Sequence, residues 1–271
     1  DVNTNGKIMS WMVDAYENVV KHSAPGVFTG KPVEFGGSLA RTEATGYGVN
    51  FAAVQALEKL GKDVKGATYA IQGFGNVGYH TGYYAHKAGA KIVAVSTVDV
   101  AIYNENGLDM EAIIKEFQTK GFITNEAGYG KEISNAELLA LEVDVLAPCA
   151  LENQLTSENA GKVRAKIVVE GANGPTTPEA DVILRQNGVL VVPDILANCG
   201  GVVVSYFEWV QNLQGYYWEF DEVQEKETVV LRRAFRDIWN LAQEYNVDLR
   251  TASYMMSIRR VEKAMKLRGW Y

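Results

Sequence analysis

Apolar residues recur at helical spacing near both ends of the chain. The stretch 6–22 has an apolar residue every three or four positions, which predicts an amphipathic helix. A Pro- and Gly-rich stretch at 23–37 then predicts a loop, and a second helix is predicted from Thr42–Leu60. From Asn198 onward the spacing is helical again, and the last helix is predicted over Leu249–Leu267.

The middle of the chain alternates short apolar runs with helical segments. Strands buried on both faces of a parallel sheet read as continuous apolar runs. The predicted strands are Ala67–Ile71, Ile92–Ser96, Val143–Ala147, Ile167–Glu170 and Val189–Pro193, and the helices predicted between them are Val77–Ala88, Met110–Thr119 and Pro178–Asn187. This order predicts an α/β fold, a doubly wound Rossmann-like parallel sheet with additional C-terminal helices. We expect residues 1–271 to form one dinucleotide-binding domain with flanking N- and C-terminal helices.

Charge and composition exclude several classes of function. The 271 residues carry a formal net charge of -7, which argues against nucleic-acid binding because phosphates need a basic surface. The two cysteines, Cys149 and Cys199, lie far apart in sequence and favour a reducing cytoplasm. The three histidines have no metal-ligand spacing, so no metal site is expected. No apolar run reaches the roughly 20 residues of a membrane helix, so no membrane partner is expected either.

A glycine-rich turn lies between a predicted strand and a predicted helix. Gly73 permits a tight turn, Gly75 lets the backbone approach a pyrophosphate, and Gly78 lets the helix pack closely on the strand. The N–H groups at the start of the helix can then bind phosphate. The sequence therefore predicts a dinucleotide site, and the alternative is a glycine-rich turn without a ligand. The predicted cofactor contacts in this motif are Gly73, Phe74, Gly75, Asn76, Val77 and Gly78.

Asp99 follows the next predicted strand, 21 residues after Gly78. An acidic residue at about this distance accepts hydrogen bonds from the ribose hydroxyls of NAD. No lysine or arginine between Lys91 and Asp109 could bind the 2′-phosphate of NADP. The pattern predicts NAD as the cofactor, with NADP disfavoured. The alternative for Asp99 is a solvated loop carboxylate.

Four long segments together resemble the glutamate dehydrogenase family, within the wider glutamate/leucine/phenylalanine/valine dehydrogenases. They are "GGSLARTEATGYGV" at 36–49, "IQGFGNVG" at 71–78, "EGANGPTTPEAD" at 170–181 and "ILANCGGVVVSYFEWVQN" at 195–212. The resemblance covers essentially the whole chain and corresponds to the C-terminal, NAD-binding half of the family. It implies reversible oxidative deamination of L-glutamate to 2-oxoglutarate and ammonia, with a hydride passed to NAD.

The resemblance also implies cofactor contacts outside the glycine turn. Arg41 and Thr45 would line the nicotinamide end of the cleft, where Thr45 would hydrogen-bond the carboxamide. Ala147 would lie where the cofactor crosses the sheet edge, and Asn173 would lie by the nicotinamide ribose. Asn198 is counted among the cofactor contacts and also matches a position that faces the amino acid.

The substrate side is implied by two positions in the segment "NCGGVVVSYFEW". Val202 and Ser205 match positions facing the amino acid, and Ser205 would bind the side-chain carboxylate of glutamate. A serine in an apolar helix is otherwise usually packed or bonded to a backbone carbonyl. A relative acting on leucine or phenylalanine is the alternative enzyme, and Ser205 disfavours it.

The first residue matches the acid/base group of the family. The resemblance implies that Asp1 moves protons at the amino nitrogen, and the alternative is a solvated helix-capping residue. The chain begins "DVNTNG" without methionine, and no segment matches the family's N-terminal, lysine-bearing domain. We therefore expect a fragment that is inactive alone, and a dinucleotide-binding module without catalysis is the alternative. The complete enzyme would bind L-glutamate and 2-oxoglutarate and form a homo-oligomer, commonly a hexamer in this family.

Overall fold

A seven-stranded sheet forms the centre of the protein. The computed structural model describes residues 4–270. The strands are β1 (Thr68–Gln72), β2 (Lys91–Ser96), β3 (Ala101–Tyr103), β4 (Lys131–Ile133), β5 (Val145–Pro148), β6 (Ile167–Val169) and β7 (Leu190–Val192). Their order across the sheet is β4-β3-β2-β1-β5-β6-β7.

Ten α-helices surround this sheet within residues 4–270. They are α1 (Gly6–Val20), α2 (Ala44–Lys59), α3 (Asn76–Lys87), α4 (Met110–Lys120), α5 (Asn135–Leu139), α6 (Pro178–Gln186), α7 (Asp194–Ala197), α8 (Gly200–Gln214), α9 (Phe220–Tyr245) and α10 (Leu249–Leu267). Every helix and strand whose bounds the sequence predicted lies within two residues of its predicted ends. Of the helices of residues 4–270, none has both the length and the apolar composition needed to cross a membrane.

The sheet is mixed rather than wholly parallel. Strands β2, β1, β5, β6 and β7 are parallel neighbours, as the doubly wound prediction requires. Strands β3 and β4 add an antiparallel edge, which the sequence prediction missed. A tight turn joins β2 to β3, because the Thr97 N–H donates to the Val100 carbonyl (2.7 Å). The α/β prediction is confirmed, with this antiparallel edge as a correction.

Helices cover both faces of the parallel strands. Ile71 and Val145 point into one buried cluster, which includes residues of α2, α3, α9 and α10. Ala70 and Leu146, their neighbours in sequence, point into a second cluster with α5 and α6. Since successive strand residues face opposite sides, this double burial explains the continuous apolar runs.

Helix α2 passes close to both α3 and α8. At Gly46 an added Cβ would lie 2.5 Å from His80 Cβ on α3, so no side chain fits there. At Gly48 it would lie 3.2 Å from the backbone nitrogen of Gly200 on α8. These close approaches bring the first turns of α2, α3 and α8 together at one end of the sheet.

Candidate functional site

The loops that leave the parallel strands are bonded to one another at the carboxyl edge of the sheet. The Phe74 N–H donates to the Ser96 carbonyl (2.6 Å), and the Cys149 N–H donates to the Gln72 carbonyl (2.7 Å). Strand β1 lies where the chain changes direction across the sheet, with β2 on one side and β5 on the other. Ligands of open α/β sheets bind in the crevice at this kind of switch point.

The glycine turn combines two crowded glycines with one open glycine. Gly73 has a φ of +86°, and an added Cβ would lie 2.6 Å from Ala150 Cα. An added Cβ at Gly78 would overlap the Gly73 carbonyl oxygen. At Gly75, by contrast, it would meet nothing within 4 Å. The turn therefore leaves space at the one glycine that should face a pyrophosphate.

Helix α3 begins at this open space. Its N-cap is Gly75, so no side chain caps the first N–H groups of the helix. Uncapped N–H groups and the positive end of the helix dipole together favour an anion. The open turn and the uncapped helix fit the pyrophosphate of a dinucleotide.

The other residues of the motif support the turn. The Phe74 ring is buried and packs edge-on against Tyr79 and Phe117, at centroid distances of 6.0 and 5.8 Å. Asn76 Nδ2 donates to the Thr42 carbonyl (2.8 Å), which ties the start of α3 to the segment before α2. Val77 is half-buried, and its carbonyl accepts from Thr81 Oγ1 (2.8 Å). Phe74 can contact a ligand only through its backbone.

Asp99 lies in the turn between β2 and β3, beside the glycine turn. Thr97 Oγ1 accepts from the N–H groups of Asp99 (3.3 Å) and Val100 (3.2 Å) and so shapes this turn. The Asp99 side chain is exposed, and no hydrogen bond of residues 4–270 involves its carboxylate. The carboxylate is therefore available either to a ribose or to water.

Arg41 before α2, Thr45 in the first turn of α2 and Ser205 in the second turn of α8 lie close together. Arg41 Nε donates to Ser205 Oγ (2.8 Å). An added Cβ at Gly201 would overlap Thr45 Oγ1 and lie 3.5 Å from Arg41 Nη1, so this glycine makes room for both side chains. Burial lowers the pKa of Arg41, and the carboxyl groups of Glu208 and Glu227 oppose that shift.

Val202 lies one turn before Ser205 on α8, with 67% of its surface exposed. Residues three apart share a helix face, so Val202 extends the Ser205 surface. The structure thus brings the predicted substrate residues next to the predicted nicotinamide end.

Asn173 and Asn198 also come together. Asn198 Nδ2 donates to Asn173 Oδ1 (2.7 Å) and to the Gly171 carbonyl (3.3 Å). The prediction for Ala147 fits less well, because its side chain is fully buried in the core. The exposed residue at this strand end is Ala150, which contacts the glycine turn.

An ion-pair network behind the two asparagines was not found from the sequence. Arg250 on α10 binds Glu170 (Nη2 to Oε1, 2.7 Å), Asp181 (Nε to Oδ2, 2.7 Å) and Asp194 (Nη1 to Oδ1, 3.4 Å). Asp194 Oδ2 accepts from the Gly174 N–H (2.8 Å). Burial raises the pKa of Glu170, and Arg250 opposes this shift.

This network fixes the loop after β6 and helix α7 at once. Asn173 lies in the first of these segments, and Asn198 directly follows the second. Arg250 therefore supports the segments that carry both asparagines. No sequence motif links the network, because Arg250 and Glu170 lie 80 residues apart.

The lysine of the Pro/Gly-rich loop is used inside the protein. Lys31 Nζ pairs with Glu208 Oε1 (2.5 Å), and both side chains are fully buried. The same amine donates to Asn212 Oδ1 (2.9 Å) and the Phe28 carbonyl (2.7 Å). Lys31 thus fastens the loop to α8 and is not available to a substrate. Asp1, the predicted acid/base group, lies outside the described residues and stays a prediction.

The chain matches one family of known proteins along most of its length. The family model described as Glutamate/Leucine/Phenylalanine/Valine dehydrogenase matches residues 36–269. The whole chain is 54% identical to an NAD-specific glutamate dehydrogenase of Clostridioides difficile and covers 65% of it. It is 50% identical to a glutamate dehydrogenase of Thermotoga maritima, again covering 65%.

Solved structures agree with the sequence matches. A crystal structure of glutamate dehydrogenase from Peptoniphilus asaccharolyticus has a TM-score of 0.86 at 44% identity, covering 100% of this chain and 65% of that one. The hetero-hexameric glutamate dehydrogenase of Thermus thermophilus, in its Leu-bound form, has a TM-score of 0.92 at 34% identity and is covered to 64%. The chain thus spans about 65% of the length of these relatives. It belongs to the glutamate/leucine/phenylalanine/valine dehydrogenase family.

Proposed function

We propose that this chain is the cofactor-binding part of an NAD-linked glutamate dehydrogenase. The complete enzyme would convert L-glutamate, NAD and water to 2-oxoglutarate, ammonia and NADH. The observation that carries the proposal is the open space at Gly75 in front of the uncapped α3 N-terminus, at the switch point of the sheet. Relatives named NAD-specific glutamate dehydrogenases support the choice of cofactor and substrate.

The described residues divide the work of binding. The N–H groups at the start of α3 hold the pyrophosphate, and Asp99 accepts from the adenosine ribose hydroxyls. Asn173 and Asn198 face the nicotinamide ribose, and Thr45 orients the carboxamide. A bound nicotinamide supplies the hydride acceptor. Holding it in one orientation at the edge of α2 and α8 is this chain's main contribution to the rate.

The hydrogen-bonded pair of Arg41, before α2, and Ser205, on α8, supports an acidic substrate. Ser205 Oγ and the Arg41 guanidinium are hydrogen-bonded to each other and lie beside the predicted nicotinamide end. A substrate carboxylate would be stabilised there by the guanidinium charge. A leucine or phenylalanine side chain would instead cover both groups without bonding them, which costs binding energy. This contrast favours glutamate over the apolar alternative.

Two further parts of the proposal concern the complete enzyme. Lys31 is already paired with Glu208 inside the protein. Binding the substrate carboxylates through lysines would therefore need residues beyond those described. The same holds for the proton transfer assigned to Asp1. Residues 1–271 alone would then act as one dinucleotide-binding domain without turnover. A hetero-hexameric relative supports a hexamer for the complete protein. The free thiols Cys149 and Cys199 support a cytoplasmic location.

Titration calorimetry tests this proposal on residues 1–271. We expect NAD to bind more tightly than NADP, and no NADH to appear at 340 nm when glutamate and saturating NAD are supplied. Failure to bind NAD would contradict the cofactor assignment. Turnover by the purified chain would show that Asp1, Arg41 and Ser205 suffice for the chemistry.

A further inference from the structure

Glu227 on α9 is a buried acid that the proposed function does not use. Its side chain is fully buried, and neither carboxyl oxygen has a hydrogen-bond partner among the described residues. A carboxyl group in this condition is costly to fold, since it has lost its water without gaining a partner.

The carboxyl group lies directly behind the nicotinamide end of the site. An added Cβ on Gly200, the first residue of α8, would overlap both Glu227 Oε1 and the Ala44 carbonyl oxygen. Ala44 and Gly200 each precede one partner of the Thr45–Gly201 contact. Glu227 therefore lies beside Gly200, and the next residue along α8, Gly201, contacts Thr45.

The groups that act electrostatically on Glu227 come from three neighbouring segments. Arg41 and Glu43 precede α2, Tyr84 is on α3, and Cys199 precedes α8. Burial and the Glu43 carboxylate raise the pKa of Glu227 to about 9, and Arg41 opposes them. Burial chiefly raises the pKa of Cys199 to about 11 and that of Tyr84 to about 12. At neutral pH Glu227 therefore carries a proton, and as the pH rises it ionises before these neighbours.

We propose that Glu227 is a positioning residue that makes the nicotinamide site respond to the charge of the ring bound at Thr45. The oxidised ring carries a positive charge and the reduced ring carries none. An ionised Glu227, behind the Thr45–Gly201 contact, stabilises the positively charged oxidised ring. A protonated Glu227 does not distinguish the oxidised ring from the reduced ring. This inference rests on the proposed function, since it takes Thr45 as the nicotinamide contact.

Proton linkage follows from the same charges. A bound positive ring favours the ionised carboxyl, so NAD binding near pH 9 releases a proton that NADH binding does not release. Unit charges about 10 Å apart at an effective permittivity of ~20 change a binding constant on the order of tenfold. Between pH 7 and pH 9.5, the affinity for NAD relative to NADH should rise several-fold in the wild-type chain.

The test measures the dissociation constants of NAD and NADH for residues 1–271 at both pH values. Glu227→Gln and Glu227→Leu should abolish the change in their ratio. Glu225→Gln, which alters an exposed acid on the same helix, should leave it as in the wild-type chain. Calorimetry in two buffers of different ionisation enthalpy gives the protons released by the unaltered chain, so this measurement needs no variant to fold.

The possible outcomes separate this inference from the proposed function. A ratio that shifts equally in the wild-type chain and in Glu227→Gln overturns the role of Glu227, even though cofactor binds. Equal proton release with NAD and NADH overturns it as well. If neither NAD nor NADH binds at pH 7, the proposed function and this inference are overturned together.

Discussion

Arg41 and Ser205 are joined by a 2.8 Å hydrogen bond from Nε to Oγ across 164 residues of sequence. The bond links the segment before α2 to the second turn of α8. It makes the position of the guanidinium depend on the serine hydroxyl. Ser205 therefore contributes to this site by fixing Arg41 as well as by facing the crevice.

Ser205→Ala should lower the free energy of unfolding by about 1–2 kcal/mol, because Arg41 loses its acceptor in a half-buried place. Combining it with Arg41→Met should cost less than the sum of the two single changes. Urea denaturation of the four proteins measures this coupling. Ser257→Ala removes a hydroxyl that bonds within its own helix and should add to Arg41→Met without coupling. Simple additivity for Ser205 would mean that its bond to Arg41 does not stabilise the fold.

Two glycines of the same turn should respond in opposite ways to alanine. Gly75→Ala should fold normally, because its Cβ meets nothing within 4 Å, yet bind NAD more weakly by tenfold or more. Gly73→Ala should lower the melting temperature, because its φ is +86° and its Cβ would lie 2.6 Å from Ala150 Cα. Calorimetric titration and circular dichroism separate the two effects. Unchanged NAD affinity in Gly75→Ala would place the cofactor elsewhere.

Asp99→Ser should lower NAD affinity by on the order of 1–3 kcal/mol, because the ribose hydroxyls lose a charged acceptor. It should also narrow the preference for NAD over NADP, since no carboxylate would repel the 2′-phosphate. Glu105→Gln changes an exposed acid in the next turn and should leave both affinities as they are. Titration of both cofactors against the three proteins measures this. Equal NAD affinity in Asp99→Ser would assign Asp99 to solvent.

Arg250→Met should cost about 3–5 kcal/mol of stability, because it leaves Glu170 buried without a cation. NAD affinity should fall as well, since Asn173 and Asn198 lose their support. Arg185→Met is the matched control, because its pair with Asp248 is exposed and should be worth less than about 1 kcal/mol. Adding Glu170→Gln to Arg250→Met should restore part of the loss in urea denaturation. No restoration would show that the loss does not come from leaving Glu170 without a cation.

Glu227 should make stability fall as the pH rises. Its pKa of about 9 in the folded protein lies above the ordinary carboxyl value, so the folded state keeps a proton that the unfolded chain releases. The contribution is full below the ordinary carboxyl pKa and is lost as the pH rises towards about 9. At about pH 8.5, the free energy of unfolding of Glu227→Leu should therefore exceed that of the wild-type chain by on the order of 3 kcal/mol. Near pH 5 the difference should be smaller. Urea denaturation at both pH values checks this, and a constant difference would contradict it.

Burial on both faces explains which strands the sequence could predict. The runs around Ile71 and Val145 are continuous because helices cover both sides of the parallel strands. Strands β3 and β4 have three residues each, and the first two residues of β4, Lys131 and Glu132, are exposed. Strand β3 is apolar but only three residues long, and β4 is both short and polar. Neither strand stands out as a separate apolar run, so the sequence predicted a purely parallel sheet.

In the site, too, features formed by residues close in sequence could be predicted, and contacts between residues far apart in sequence could not. The glycine turn is local, so its spacing predicted the turn that the structure contains, and the family resemblance is confirmed by the match over residues 36–269. The supports of the site are distant: Lys31 and Glu208 are 177 residues apart, and only the fold pairs them. Glu227 stands among several acids in "DEVQEKE", and nothing in that pattern marks it as the buried one.

The buried ion pair of Lys31 and Glu208 couples the loop at 28–31 to helix α8. Glu208 also accepts from the backbone N–H groups of Gly30 (2.8 Å) and Lys31 (3.3 Å). Separating the loop from α8 would leave the Glu208 carboxylate and the Lys31 ammonium without their partners. This costs far more free energy than exposing ordinary loop backbone. We therefore expect the stretch 28–31 and α8 to open as one cooperative unit, so that the amides of Gly30 and Lys31 exchange slowly with solvent.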